Sequence, residues 1–311
     1  MIASFRRFLT WFAYALLVFV VINLTLIFGM FSVVQQNAVF KFYYQAVKAV
    51  MDNAAPMPPE TVQFNQQGQL VQYPGKQPVA APTVTPRTMV AFVFGQSNAA
   101  NHGGQKFTAT TGRVYNFFDG QYYLAQDPLL GASGNAGSVW TLMANKLIAQ
   151  QRYDQVILIP AAVGGTSVAQ WQPGGELHPM LLARLKTVKD SGLQVTHFLW
   201  HQGEADNPLG SKPGIGLAGY RHGMQQIIAL TQQSFPQSTF YLAVASRCFS
   251  FAAASPALQA VQRDLAAPPR VLLGPDTDSI GLIDRYDDCH FSASGLEQHA
   301  DGWVRALTGP S

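Results

Sequence analysis

Short apolar runs alternate with longer helical stretches over residues 88–311, which predicts an α/β fold: a three-layer α/β/α sandwich with a mainly parallel sheet. Two further observations shape the expected chain. One long uncharged run near the N-terminus predicts a single transmembrane helix. A proline-rich stretch separates it from the alternating region.

The uncharged run extends from Phe8 to Phe40, and its apolar heart is Trp11 to Val34. As a helix those 24 residues would span about 36 Å at about 1.5 Å per residue. A bilayer core is roughly 30 Å thick, so the segment suffices to cross with some tilt. Arg6 and Arg7 precede it, which places residues 1–7 in the cytoplasm and the rest of the chain on the far side. A cleaved signal peptide would have a shorter apolar region, about 7–15 residues, ending in a small-x-small site. The expectation is therefore an uncleaved signal-anchor over residues 8–35 and a single-pass membrane protein whose larger part is exported.

Residues 36–87 read as a juxtamembrane helix, Ala38 to Met51, followed by a linker. Seven of the 19 prolines fall between Pro56 and Pro86, the composition of an extended spacer. Within it Val62 to Phe64 and Leu70 to Tyr73 flank Gln66-Gln67-Gly68, so a small hairpin is an alternative.

From Met89 onward, five apolar runs have the character of strands buried on both faces: Val90 to Phe94, Gln155 to Pro160, Thr196 to Trp200, Phe240 to Ala245 and Arg270 to Leu273. Helices fall between them. Val139, Leu142, Met143 and Leu147 recur at helical spacing. So do Leu181, Leu182, Leu185 and Val188, with Pro179 near the start and Gly192 past the end. Tyr220 to Ile228 makes a third helix and Pro256 to Leu265 a fourth. The last begins at Ser294, with Glu297 three positions on as a capping box, and runs to about Leu307.

Composition narrows the function classes. Formal charge is +3, and Lys and Arg are scattered, not gathered into the blocks by which nucleic-acid binders hold phosphate. Ligands of open parallel sheets bind outside the carboxyl ends of the strands, so chemistry is sought there. The first strand ends in Gly95-Gln96-Ser97-Asn98, where a serine can leave the strand on a tight turn. The second runs into Gly164-Gly165-Thr166, whose backbone N–H groups can face a ligand oxygen. The third runs into Trp200-His201-Gln202-Gly203-Glu204-Ala205-Asp206. The last is followed by Asp287-Asp288-Cys289-His290. A carboxylate three residues before a histidine can accept its Nδ1–H and leave Nε2 as a base. Taken singly, the first, second and last segments read as readily as ordinary polar turns or loops, whereas the third gathers too many polar and aromatic residues around one glycine for a routine connection. His201, Glu204 and Asp206 have ligand chemistry, but no second Cys/His cluster completes a metal site.

In this order the four segments resemble the SGNH-hydrolase superfamily, in particular its sialate O-acetylesterase-like branch containing carbohydrate esterase family six. The resemblance covers about Thr88 to Leu307. It implies a flavodoxin-like sandwich and a serine esterase. Ser97 would be the nucleophile, His290 the base and Asp287 its orienting acid. The N–H groups of Ser97 and Gly165 and the amide of Gln202 would form the oxyanion hole. Glu204, with Asn98, would bind substrate or brace a loop. No metal or cofactor is implied, and the expected substrate is an O-acetylated glycan or another small acetyl ester.

Cys248 and Cys289 lie in the exported part, where an oxidising compartment permits a bridge, and they form a candidate disulfide across a 40-residue interval. Two other readings stay open. The same residues could pass an acyl group to a sugar hydroxyl as an exported O-acetyltransferase. Alternatively, an inactive glycan-binding protein could use Trp140, Trp171 and Trp200 as sugar-stacking faces.

Overall fold

The structure, a computed structural model, describes residues 61–210, 214–248 and 253–309. The expected cytoplasmic N-terminus, the signal-anchor over 8–35 and the juxtamembrane helix lie outside the described residues. Among those described, no helix is long and apolar enough to cross a membrane.

Ten strands are present among the described residues: β1 Gln63–Phe64, β2 Leu70–Gln72, β3 Pro78–Val79, β4 Thr88–Gly95, β5 Val114–Phe118, β6 Gln121–Leu124, β7 Gln155–Pro160, β8 His197–His201, β9 Thr239–Val244 and β10 Val271–Asp276. Six α-helices accompany them: α1 Val139–Ala149, α2 Val168–Trp171, α3 His178–Asp190, α4 Gly216–Ser234, α5 Pro256–Asp264 and α6 Ala293–Thr308. β1 and β2 pair as a separate antiparallel hairpin. The other eight strands form one sheet in the order β10-β9-β8-β4-β7-β5-β6-β3. Pairings from β10 across to β5 are parallel; β5–β6 and β6–β3 are antiparallel.

The apolar runs form strands because both faces of the sheet are covered. Along β4, Val90, Phe92 and Phe94 join Phe198, Trp200 and Phe240 in a core beneath α2 to α5. Met89, Ala91 and Val93 belong to the opposite core with Leu158, Leu199 and residues of α1 and α6. Period-two alternation thus feeds two hydrophobic layers from one continuously apolar strand. Phe94 stacks edge-on against Trp200 with ring centroids 4.7 Å apart. Emptying such a buried aromatic site typically costs about 3–5 kcal/mol, so this layer is a main source of stability.

The chain leaves β4 for β7 and β5 on one side, then crosses to β8 on the other. The carboxyl ends of β4, β7 and β8 therefore flank a crevice at a reversal of strand order, where open sheets bind ligands.

Three expectations change. Residues 61–87 are not a free spacer, because Leu70 is fully buried with Phe118 and Leu130, and β3 closes one edge of the sheet. The alternative of a hairpin is what forms there. The β5–β6 hairpin, not anticipated, turns at Asp119-Gly120 with both residues at positive φ, 47° and 77°, as a two-residue connection requires. Finally, α6 is capped by Ser292, whose Oγ accepts from Gly295 N–H at 3.3 Å. Ser294 donates to Asp284 instead, and Glu297 pairs with Lys146.

Candidate active site

Gly95 ends β4 against the backbone of β8. Its φ is +124°, and a Cβ there would lie 2.1 Å from the His201 carbonyl oxygen. Only glycine lets the two strands stay in register at Gly95 and His201. The next residues turn sharply into a short 3₁₀ helix, Ser97–Ala99. Trp140 Nε1–H donates to the Ala99 carbonyl at 2.7 Å, and Gln96 Oε1 accepts from Ala205 N–H at 3.1 Å. The turn is therefore held from both sides. Ser97 is only 6% exposed, and its Oγ makes no hydrogen bond to a described residue.

After β7 the chain bends through Val163 to Thr166. Thr166 Oγ1 donates to the Val163 carbonyl at 2.7 Å and accepts from Trp171 Nε1–H at 3.0 Å. Gly164 N–H donates to Ser133 Oγ at 2.7 Å. A Cβ on Gly164 would approach Ser97 Cβ to 3.5 Å and His102 Nε2 to 3.1 Å, so this turn lies directly beside the serine. Gly165 sits at φ +70° with open space around it, and its N–H donates to no described residue.

His290 is fixed by Asp287. Oδ2 of Asp287 lies 2.6 Å from His290 Nδ1, and Oδ1 accepts from the N–H groups of His290 at 2.7 Å and Cys289 at 3.1 Å. Burial pushes the Asp287 carboxyl upward, but the hydrogen bonds and charge of His290 outweigh it and hold the group below its ordinary value. An ionised acceptor at Nδ1 selects the tautomer with its lone pair on Nε2. That Nε2 is buried and has no partner among the described residues. The ring of His102 stacks on His290 at 5.3 Å, and Tyr286 stacks on it at 6.0 Å.

Behind this loop, Arg285 donates to the carbonyls of Cys289 at 2.5 Å and Thr277 at 2.8 Å. Cys289 is disulfide-bonded to Cys248. Asp278 holds the segment before Cys248 by accepting from the N–H groups of Ser246 at 2.9 Å and Arg247 at 2.8 Å.

Ser97, His290, His102, Gly165, Glu204 and both cysteines line one cavity of about 540 Å³. A larger hollow of about 830 Å³ between β10 and α6 brings none of these side chains together. Glu204 bonds Asn98 Nδ2 at 2.8 Å and pairs with His201 at 3.2 Å. Burial raises the Glu204 carboxyl, while the charge and hydrogen bond of His201 and the bond from Asn98 bring it below its usual value. Asn98 thus faces Glu204, which ties the Ser97 turn to the loop after β8.

Two expectations fail here. Gln202 is fully buried, and its Nε2 donates to Asp206 Oδ2 at 2.6 Å and the Thr166 carbonyl at 3.0 Å. Both amide hydrogens are engaged, so it is not a third donor facing the cavity. Trp140, Trp171 and Trp200 are fully buried as well. Packing claims their faces, and no sugar can stack on them. Sequence reading missed His102, Ser133 and Arg285, because isolated residues in loops carry no spacing signal.

Residues 87–307 match the family described as carbohydrate esterase, sialic acid-specific acetylesterase. A protein of Arabidopsis thaliana named probable carbohydrate esterase is 35% identical over 49 residues, 16% of this chain and 19% of that relative. The match therefore spans about a fifth of the curated relative's length. An Arabidopsis thaliana crystal structure shares the fold with a TM-score of 0.58 and 19% identity, covering 71% of this chain and 98% of that one. The structure of NanS gives 0.50 and 16%, covering 72% and 98% respectively. With the family match extending over more than two thirds of its length, this chain belongs to the sialic acid-specific acetylesterase family of carbohydrate esterases, hydrolases of ester bonds.

Proposed function

We propose that the protein is a membrane-tethered serine esterase that removes O-acetyl groups from carbohydrates. Ser97, His290 and Asp287 act as its catalytic triad. One observation carries this reading: His290, whose Nε2 is left without a partner by the Asp287 contact, lines the same cavity as Ser97, whose hydroxyl bonds no described residue. The uncharged run over residues 8–35 supports the tether, with the catalytic domain on the exported face.

In this mechanism His290 Nε2 takes the Ser97 proton as Oγ attacks the ester carbonyl carbon. The tetrahedral oxyanion is stabilised by the N–H groups of Ser97 and Gly165, which donate to nothing else described. Collapse expels the sugar alkoxide, which takes the proton from the His290 imidazolium. Water, activated by the same nitrogen, then hydrolyses the acyl-enzyme and releases acetate. Asp287 stays ionised throughout and stabilises the imidazolium. Glu204 and Asn98 brace the loop; Gln202 anchors it through Asp206.

The test is Ser97→Ala in the full chain, assayed on p-nitrophenyl acetate and on O-acetylated saccharides. A fall in kcat of about 10⁶-fold, as for nucleophile loss in comparable triads, with unchanged melting temperature, is expected. Residual activity within tenfold of wild type would refute the assignment.

A further inference from the structure

The cavity has a wall that the rest of the catalytic apparatus does not explain. Gln67 and Gly68, at the tip of the β1–β2 hairpin, line it together with Ser97 and His290. This hairpin lies before residue 87, outside the stretch that matches the family.

The hairpin is fastened to the loops that carry the chemistry. Leu70 N–H donates to the Ala132 carbonyl at 2.9 Å, and Gly131 N–H donates to the Leu70 carbonyl at 2.8 Å. Gln69 is fully buried, and its Nε2 donates to the Ala161 carbonyl at 3.0 Å, at the start of the turn bearing Gly164 and Gly165. The tip itself is stiffened by Asn65, whose Oδ1 accepts from the N–H groups of Gln67 at 3.1 Å and Gln69 at 2.9 Å. Asn65 Nδ2 also donates to Gln69 Oε1 at 3.1 Å. The backbone at the tip and the amides of Asn65 and Gln69 therefore have their partners. The half-buried Gln67 side chain makes no hydrogen bond to a described residue.

An acetyl group has two carbons and cannot occupy about 540 Å³. Cavities of about 300–1,000 Å³ enclose whole small ligands, so most of this space belongs to the alcohol half of the ester. A primary amide both donates and accepts, as vicinal sugar hydroxyls do. We infer that the hairpin tip forms the subsite for the hydroxyl-rich alcohol part of the substrate, with the Gln67 amide as its specificity-determining group. This inference rests on the esterase reading and assigns Gln67 to recognition, not to bond cleavage.

The experiment compares full-length wild type, Gln67→Ala and Ser97→Ala on p-nitrophenyl acetate and on a panel of O-acetylated methyl hexosides and xylobiose. Loss of one hydrogen bond worth about 0.5–1.5 kcal/mol corresponds to roughly two- to tenfold. Gln67→Ala is expected to lower kcat/KM on the best saccharide ester by about that factor, chiefly through KM. Hydrolysis of p-nitrophenyl acetate, whose alcohol has no hydroxyl-rich part, should stay within 1.5-fold. Parallel losses on both substrates, or no change on any saccharide, would overturn the subsite. Failure of the underlying reading looks different: Ser97→Ala would then match wild type on every ester.

Discussion

Asp287 holds His290 by both carboxylate oxygens, accepting the ring N–H at 2.6 Å through Oδ2 and the backbone N–H at 2.7 Å through Oδ1. The i,i+3 spacing makes this a local device: one turn of chain fixes the ring's position and its tautomer together. The consequence for chemistry is separable from stability. Asp287→Asn keeps the shape but can present an N–H to Nδ1, which selects the tautomer whose hydrogen is on Nε2. In a triad that reversal costs about 10⁴-fold in kcat. Because the Asp287 side chain is 38% exposed, the melting temperature should barely move. Steady-state kinetics with a parallel melt decide it, and a kcat within tenfold of wild type would mean that another carboxylate orients the base.

The Cys248–Cys289 bond closes a long interval immediately beside His290. The chain-entropy model assigns roughly 4 kcal/mol to a loop of this length. At about 2–4 °C per kcal/mol for a domain of this size, its removal should lower the melting temperature by up to roughly 8–16 °C. Catalysis should suffer far less. Arg285 grips the Cys289 carbonyl and Asp278 grips the segment before Cys248, so the histidine loop keeps its anchors without the bridge. The double variant Cys248→Ser/Cys289→Ser is expected to retain kcat within tenfold while melting earlier. Equal melting temperatures for the bridged and unbridged forms would contradict the assigned stabilisation.

The parts of the fold that were legible in the sequence are those where a single local rule dominates. β4, β7, β8 and β9 are strands buried between two helical layers, so an unbroken apolar run sufficed to find them; β10, expected to be buried on both faces, is instead a half-exposed edge strand with only Val271 buried. The candidate site residues were sought beyond the strands' carboxyl ends, and the family match over residues 87–307 agrees with the extent of the motif resemblance. Failures came where orientation depends on a partner distant in sequence. Gln202 looked like a free donor because Thr166, which takes one of its hydrogens, lies 36 residues away. The hairpin at 63–72 was legible only as an alternative within the proline-rich stretch, because the contacts with Phe118 and Leu130 that bury Leu70 are tertiary. The β5–β6 hairpin carried its own signal in Asp119-Gly120, overlooked because Tyr115, Asn116, Tyr122 and Tyr123 dilute its apolar character.

Three histidines, His299 buried and His102 and His197 half-buried, are held below their ordinary range, and this sets how the domain responds to acid. Burial, then the charge of His290, lowers His102 to about 4, with Asp287 partly opposing. Burial alone lowers His197 to about 4. Burial, with the charges of His201 and Arg285, takes His299 well below its ordinary value. In the unfolded chain each would bind its proton near about 6.5. The unfolded state therefore holds more protons below that pH, and stability falls as pH drops from about 6.5 toward about 4. Asp127 works against this trend, since burial raises it to about 6 against the donors Ser138, Phe107 and Thr141. Burial also raises Asp206. Protonation of these two favours the folded state over part of the same window. Asp287 and Glu204, both depressed, lose their contribution only at still lower pH. Three histidines against two carboxyls leave a net loss of stability on acidification. The variant His102→Gln can keep a hydrogen bond to Ser133 Oγ, now 3.2 Å from the ring, while removing one titrating group. Denaturant unfolding at pH 7, 6, 5 and 4.5 should show a shallower acid decline for this variant, by at most about 1.4 kcal/mol per pH unit for one proton. Superimposable pH dependences for the two proteins would show that His102 is not held neutral by its surroundings.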